Sequence, residues 1–154
     1  MSLNQKGTEY TNQLAKPINS NAVQVNEKQR GNPILRHVRL IPWVFNSDIV
    51  PDYVMGSTCA LFLSIKYYLL HPMYIEKRIH EIGKNNFKLR VLLVLNDDVN
   101  SNAAILNLNT LCFNNEFTLV MTWSNEECAR YIETLKYYEE KPALAIQVFF
   151  YFAI

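Results

Sequence analysis

Three aspartates are the best-placed residues for hydrolytic chemistry in this sequence. Asp97 and Asp98 stand together after the apolar run Leu89 to Leu95, and Asp52 lies upstream. Carboxylate oxygens are what a hard divalent cation takes as ligands. The carboxyl end of a strand is where open α/β sheets place their sites. Metal-assisted hydrolysis also needs a lysine or a further acid near the attacking water. The stretch Ser101 to Thr110 supplies neither. The plainer reading makes Asp97 and Asp98 turn residues at a strand end.

The other chemically capable residues are scattered. His37, His71 and His80 lack ligand spacing; His71 precedes Pro72 and reads as the start of a helix, and His80 as part of a solvated helix face. Cys59, Cys112 and Cys128 form no CxxC pair and have no zinc spacing, so they read as buried thiols of a reducing compartment. The sequence has no GxGxxG, GxxxxGK[ST], GxSxG or HExxH pattern. No cofactor or metal is expected, and the expectation is binding rather than catalysis.

Two features favour binding. Lys28, Arg30, Arg36 and Arg39 face a single acid, Glu27, within residues 21–39, with His37 beside them. In contrast, residues 126–140 carry five glutamates against Arg130 and Lys136. A molecule polarised in this way could turn a basic edge toward phosphate; equally, these could be ordinary solvated faces. The run Phe62-Leu63-Ser64-Ile65-Lys66-Tyr67-Tyr68 is dense in aromatics. In a strand, Phe62, Ser64, Lys66 and Tyr68 would share one face and Leu63, Ile65 and Tyr67 the other. Such a surface is either core or a groove for a partner.

The elements that must position these residues follow from pattern. Ala22 to Val25, Leu35 to Phe45, Tyr53 to Met55 and Cys59 to Tyr68 read as strands, with Pro42 and Gly56 as breaks and Arg30 to Pro33 as a turn. A helix begins near Pro72, carries Ile75, Ile79 and Ile82, and stops at Gly83. The continuous apolar run Leu89 to Leu95 suits a strand buried on both faces. Ala104, Leu108, Leu111 and Cys112 make a helical stripe, and Phe117 to Trp123 a second buried strand. Ser124 and Glu127 form a capping box for a helix with its stripe on Cys128, Tyr131, Ile132 and Leu135. Alternating strands and helices give a parallel segment, and the early strands should pair antiparallel. The expected fold is α/β, a mixed sheet with flanking helices.

The chain has 154 residues, 49% hydrophobic and 19% charged, with net charge +1, enough for one core and without a global field. Residues 1–20 are polar and aperiodic, read as a disordered tail, and do not resemble a signal peptide. The run Ala143 to Ile154 is too short to span a bilayer. An intracellular protein without a membrane partner is expected.

Arg30-Gly31-Asn32-Pro33, Ile41-Pro42-Trp43, Pro51-Asp52-Tyr53-Val54, Cys59 to Ser64, Leu70-His71-Pro72, Thr122-Trp123-Ser124, Tyr131 to Thr134 and Lys141-Pro142 lie in one collinear run. They resemble the central domain of the excision repair cross-complementing group 1 protein family, the non-catalytic partner of the xeroderma pigmentosum group F endonuclease. The resemblance covers residues 21–142. It implies a restriction-endonuclease-like fold without the nuclease motif. Asp52 would stand at the first acid of the catalytic partner, Leu61, Phe62 and Leu63 at its Glu-Arg-Lys, and Tyr67 at its last Asp. It also implies a groove for a peptide of the damage-scaffold protein, xeroderma pigmentosum group A, made by Lys28, Asn32, Asp52, Phe62, Ser64, Lys66, Tyr67, Leu70, Tyr74 and Arg78. Contact with DNA at single-strand/double-strand junctions would fall to Lys28, Arg30, Arg36 and Arg39. The implied setting is the nucleus, in nucleotide excision and interstrand cross-link repair.

There are departures. Lys28 and Lys66 stand where the family often has Arg, Val44 replaces an acid, Tyr68 and Leu69 replace polar residues, and one residue is missing within Gly56 to Cys59. Residues 143–154 do not resemble the family's tandem helix-hairpin-helix domain, its main heterodimer interface, so that domain is expected to be missing from this chain. Two rival readings are an active metal-dependent nuclease using Asp52, Asp97 and Asp98, and a non-functional truncated fragment.

Overall fold

The structure is a computed structural model, described here for residues 21–84 and 86–139. The proposed tail at 1–20 and the apolar stretch at 143–154 lie outside the described residues. Six strands form one sheet in the order β2-β1-β3-β4-β5-β6. They are β1 (Val23–Val25), β2 (Trp43–Phe45), β3 (Tyr53–Met55), β4 (Thr58–Ser64), β5 (Leu89–Leu95) and β6 (Thr118–Thr122). β4, β5 and β6 run parallel, and β3 pairs antiparallel with both β1 and β4. β1 and β2 pair parallel, where an antiparallel pairing is expected from sequence.

Strand alternation splits the core into two layers. Val23, Val25, Tyr53, Met55, Ala60, Val91 and Leu93 pack with Ile34, Leu35 and Val38 and with Cys128, Ala129, Ile132 and Leu135 of α4 (Asn125–Tyr138). Cys59, Leu61, Leu63, Leu92 and Val94 face the other way. They meet Ile65 of α1 (Ile65–Leu70), Ile75, Ile79 and Ile82 of α2 (Tyr74–Ile82), and Ala104, Leu108 and Cys112 of α3 (Asn102–Asn114). Val91 to Val94 are buried on both faces, which is why β5 reads as an unbroken apolar run. The three cysteines are free and buried. Burial pushes the Cys59 and Cys112 thiols up to about 12. It raises Cys128 to about 11, despite the opposing hydrogen bond between its thiol and the Thr122 hydroxyl.

Two strand expectations are corrected. Residues 35–45 are not one strand. Asn32 caps a 3-10 helix, Pro33–His37, by accepting the Ile34 N–H at 3.0 Å, with Pro33 at its first turn. Ile34, Leu35 and Val38 then sit at helical spacing and bury against α4, leaving only Trp43–Phe45 extended. Residues 59–68 are not one strand either. β4 stops at Ser64, whose Oγ accepts the Tyr67 N–H at 3.3 Å and starts α1. The two-face alternation expected for 62–68 therefore holds only to Ser64. His71 is also reassigned: it ends α1, its N–H donating to the Tyr67 carbonyl at 2.9 Å, and α2 begins at Tyr74.

Candidate binding cleft

The aromatic residues converge at the carboxyl end of β4. A cleft of ≈ 370 Å³ opens there. Phe62, Leu63 and Ser64 contribute from β4, Tyr67 from α1 and Tyr74 from the first turn of α2. Lys28, Gln29 and Asn32 close the other side from the short helical turns before Pro33. Tyr67 and Tyr74 meet edge-to-face with centroids 5.0 Å apart, and Tyr67 also lies 4.6 Å from the His71 ring. Tyr67 is 43% exposed, so the wall it makes is open to solvent.

Beneath the cleft lies a buried ion pair. Arg78 Nη2 donates to Asp52 Oδ1 at 2.8 Å and to the Val50 carbonyl at 2.9 Å, and Nη1 donates to Glu81 at 3.0 Å. Asp52 Oδ2 accepts the Phe62 N–H at 2.9 Å. A guanidinium does not lose its proton in a protein, so buried Arg78 needs a carboxylate beside it. Burial pushes the Asp52 carboxyl up, against the pull of the Phe62 N–H and of Arg78. Burial works against the Arg78 charge as well, but Asp52 and Glu81 hold it above its ordinary value. Burial raises the Tyr74 phenol too, helped by the nearby Asp52 charge.

The ten groove positions therefore divide. Lys28, Asn32, Phe62, Ser64, Tyr67 and Tyr74 line the cleft. Asp52 and Arg78 lie beneath the lining, buried at 1% and 3% exposure. Lys66 and Leu70 are exposed on α1 outside the lining. Three further residues that shape the cleft are absent from the ten: Leu63 in the lining, Gln29 and Asn26. Gln29 is buried in the wall, where its Oε1 accepts from Asn32 Nδ2 at 2.9 Å and from the Tyr53 hydroxyl at 3.2 Å. Asn26 caps the turn that carries Lys28, and its amide donates to the carbonyls of Ile49, Val50 and Pro51. A buried Gln in a polar segment has no sequence signal; Asn26 has one, as a cap residue preceding Glu27.

The candidate metal aspartates do not meet. Asp97 accepts the Ser64 hydroxyl and, at 2.9 Å, the Lys66 N–H, so it caps α1. Asp98 accepts the Asn100 N–H at 2.8 Å in a local turn. Among the described residues no group of three metal-type ligands occurs.

The basic residues do not make one free edge. Arg30 is paired with Glu27 at 2.8 Å and lies 4.0 Å above the Phe45 ring. His37 sits 3.6 Å from Glu126, and Glu133 accepts the Leu40 N–H at 2.6 Å. The basic segment and acidic α4 are thus neighbours rather than opposite poles. Between them is a second cleft of ≈ 240 Å³, lined by Arg39 and Arg130 as well as by these acids.

Residues 20–142 match the family model described as the binding domain of the DNA repair protein Ercc1 (rad10/Swi10). The chain belongs to the Ercc1/Rad10 family. It is 48% identical over 139 residues to the mating-type switching protein swi10 of Schizosaccharomyces pombe, covering 89% of this chain and 54% of that protein. It is 49% identical over 130 residues to the DNA excision repair protein ERCC-1 of Arabidopsis thaliana, covering 84% and 31%. It is 33% identical over 118 residues to RAD10 of Saccharomyces cerevisiae, covering 73% and 55%. The chain thus spans about half, or less, of the relatives it matches. Among solved structures, XPF from Aeropyrum pernix superimposes with a TM-score of 0.65 at 11% identity, over 83% of this chain and 69% of that one. The same protein in complex with DNA gives 0.62 at 14%, over 79% and 66%. At such identities the likeness is one of fold: this Ercc1/Rad10-family domain has the nuclease-like mixed α/β architecture that the resemblance implied.

Proposed function

We propose that this domain is a non-catalytic binding subunit of a structure-specific endonuclease complex. In this reading it engages DNA and a peptide of the group A damage-scaffold protein, in nucleotide excision and cross-link repair in the nucleus, beside a group F-type nuclease. The observation that carries this reading is the cleft itself. Where a nuclease would open metal-holding acids to solvent, Asp52 is sealed beneath an aromatic concavity and spent on Arg78 and the Phe62 N–H. Aromatic anchors with polar neighbours bind short peptides by burying a few side chains and orienting them with hydrogen bonds.

Tyr67→Ala tests it. Removal of an exposed anchor should lower affinity for a group A-derived peptide by about 1–3 kcal/mol while leaving the melting temperature nearly unchanged. The check is peptide titration and thermal denaturation on the same variant. A large stability loss, with wild-type affinity in the folded fraction, would show Tyr67 to be core and overturn the groove.

DNA binding by this domain should be weak and independent of sequence, because Arg30 already has a partner and acidic α4 lies against the Arg39 end of the patch. Reversing Arg30 and Arg39 to Glu should weaken binding to unrelated duplexes equally. It should also flatten the plot of log K against log salt by about 0.9 for each phosphate the variant no longer neutralises. Unchanged binding in both variants, measured by fluorescence anisotropy, would remove these residues from the interface.

A further inference from the structure

Asp97 has the residue type of a metal ligand, yet both of its carboxylate oxygens are turned to one short helix. Oδ2 accepts the Ser64 hydroxyl at 2.5 Å, from a residue 33 positions away in the chain, and Oδ1 accepts the Lys66 N–H at 2.9 Å. The first bond also orients Ser64. A hydroxyl that gives its proton to Asp97 keeps its lone pairs for another donor, and Ser64 Oγ accepts the Tyr67 N–H at 3.3 Å. One carboxylate thus satisfies, directly or through Ser64, two of the N–H groups that the start of a helix leaves unpaired. α1 has little else to secure it. It is six residues long and buries one of them, Ile65. Helices shorter than about 12 residues are marginal on their own in water. Yet α1 carries Tyr67, whose ring makes a wall of the cleft against Tyr74.

We propose that Asp97 is a positioning residue of the cleft: it keeps α1 formed and so presents Tyr67 to the ligand. The proposal rests on the groove reading given above. Asp97 lies outside the lining, between β5 and α3, so the strength of the cleft is set from a loop that the ligand does not touch. When α1 frays, the cleft is competent only for the fraction of time in which the wall is present. Apparent affinity falls by that fraction. Such a loss appears as slower association, because the wall is complete once the ligand is in place. Removal of a direct contact, as in Tyr67→Ala, speeds dissociation instead.

Stopped-flow binding of a group A-derived peptide and native-state hydrogen exchange, both on the full chain, test this. Asp97→Ala should weaken binding about tenfold, the low end for loss of a charge-assisted hydrogen bond, and do so through the association rate. Asp97→Asn keeps an acceptor for the Lys66 N–H and should lose about threefold. In a Tyr67→Ala background, Asp97→Ala should cost less than about twofold more, since it acts through that ring. The His71 amide closes α1 on the Tyr67 carbonyl at 2.9 Å. In Asp97→Ala it should lose most of its protection while the amides of Val91 to Val94 in β5 keep theirs. Unchanged affinity overturns the proposal, and so does a full tenfold loss on top of Tyr67→Ala. Equal loss of protection in α1 and β5 also overturns it, since Asp97 would then stabilise the whole domain. If the wild type fails to bind the peptide, it is the groove reading that falls. The His71 amide still decides the role of Asp97 in that case, and full protection in Asp97→Ala refutes it.

Discussion

Asp52→Asn should destabilise the domain by on the order of 3–5 kcal/mol, the typical result of removing one partner of a buried ion pair. The substitution keeps the size of the side chain and removes only its charge. Arg78 would remain 3% exposed with its proton in place. Glu81 could compensate little, since it is 38% exposed and screened by water. The Phe62 N–H would still find an amide oxygen, so the loss would fall on the Arg78 side. Because the pair supports the cleft floor, peptide affinity should fall in the same variant. Urea denaturation of wild type, Asp52→Asn and the double variant Asp52→Asn/Arg78→Met separates the terms. The double variant should regain much of the stability, as replacement of buried ion pairs by apolar groups often does. A single variant within about 1 kcal/mol of wild type would show that the pair is dispensable.

Leu61→Glu or Leu63→Lys should unfold the domain rather than create a nuclease. By resemblance these positions stand where a catalytic paralogue has its acid and its lysine. Here Leu61 and Leu63 are 0% and 1% exposed, packed in the layer shared with α2 and α3. An unpaired charge placed there costs on the order of several kcal/mol, and each residue would tend to neutralise instead of holding a metal. The expected outcome is insoluble or molten protein, together with no Mg²⁺- or Mn²⁺-dependent cleavage of splayed-arm DNA by the wild type. Wild-type cleavage that disappeared with Asp97→Ala would restore the nuclease reading.

Much of the scaffold is legible in the sequence because its signals are local. Leu89 to Leu95 is a strand buried on both faces, and nothing but its own run of apolar residues is needed to say so. The forward half of the α4 capping box is present, with Ser124 Oγ accepting the Glu127 N–H at 3.1 Å, while the Glu127 carboxylate reaches one residue further back, to the Trp123 N–H at 3.0 Å. Where sequence and structure part, distant partners decide. Phe62 to Tyr68 has the composition of a strand, and it breaks at Ser64 because Asp97, far along the chain, arrives to hold the first turn of a helix. Residues 35–45 look extended by composition, yet Asn32-Pro33 signals a helix start as readily as a turn. In the cleft, the aromatic run points to Phe62 and Tyr67 as core or groove, and Tyr74 is nominated only by the family resemblance. Residue type does not distinguish the lining from Asp52 and Arg78 beneath, since that distinction is one of depth.

Each wall of the cleft is anchored by its own polar contact: Asn26 to the loop at 49–51, Asp97 to the start of α1, Asp52 to the Phe62 backbone. A receptor tied down in three places has little conformational freedom left to lose when it is filled. The ordering entropy of binding therefore falls on whatever enters, so a ligand stiffened in its bound shape would gain most of the available affinity, chiefly through slower dissociation.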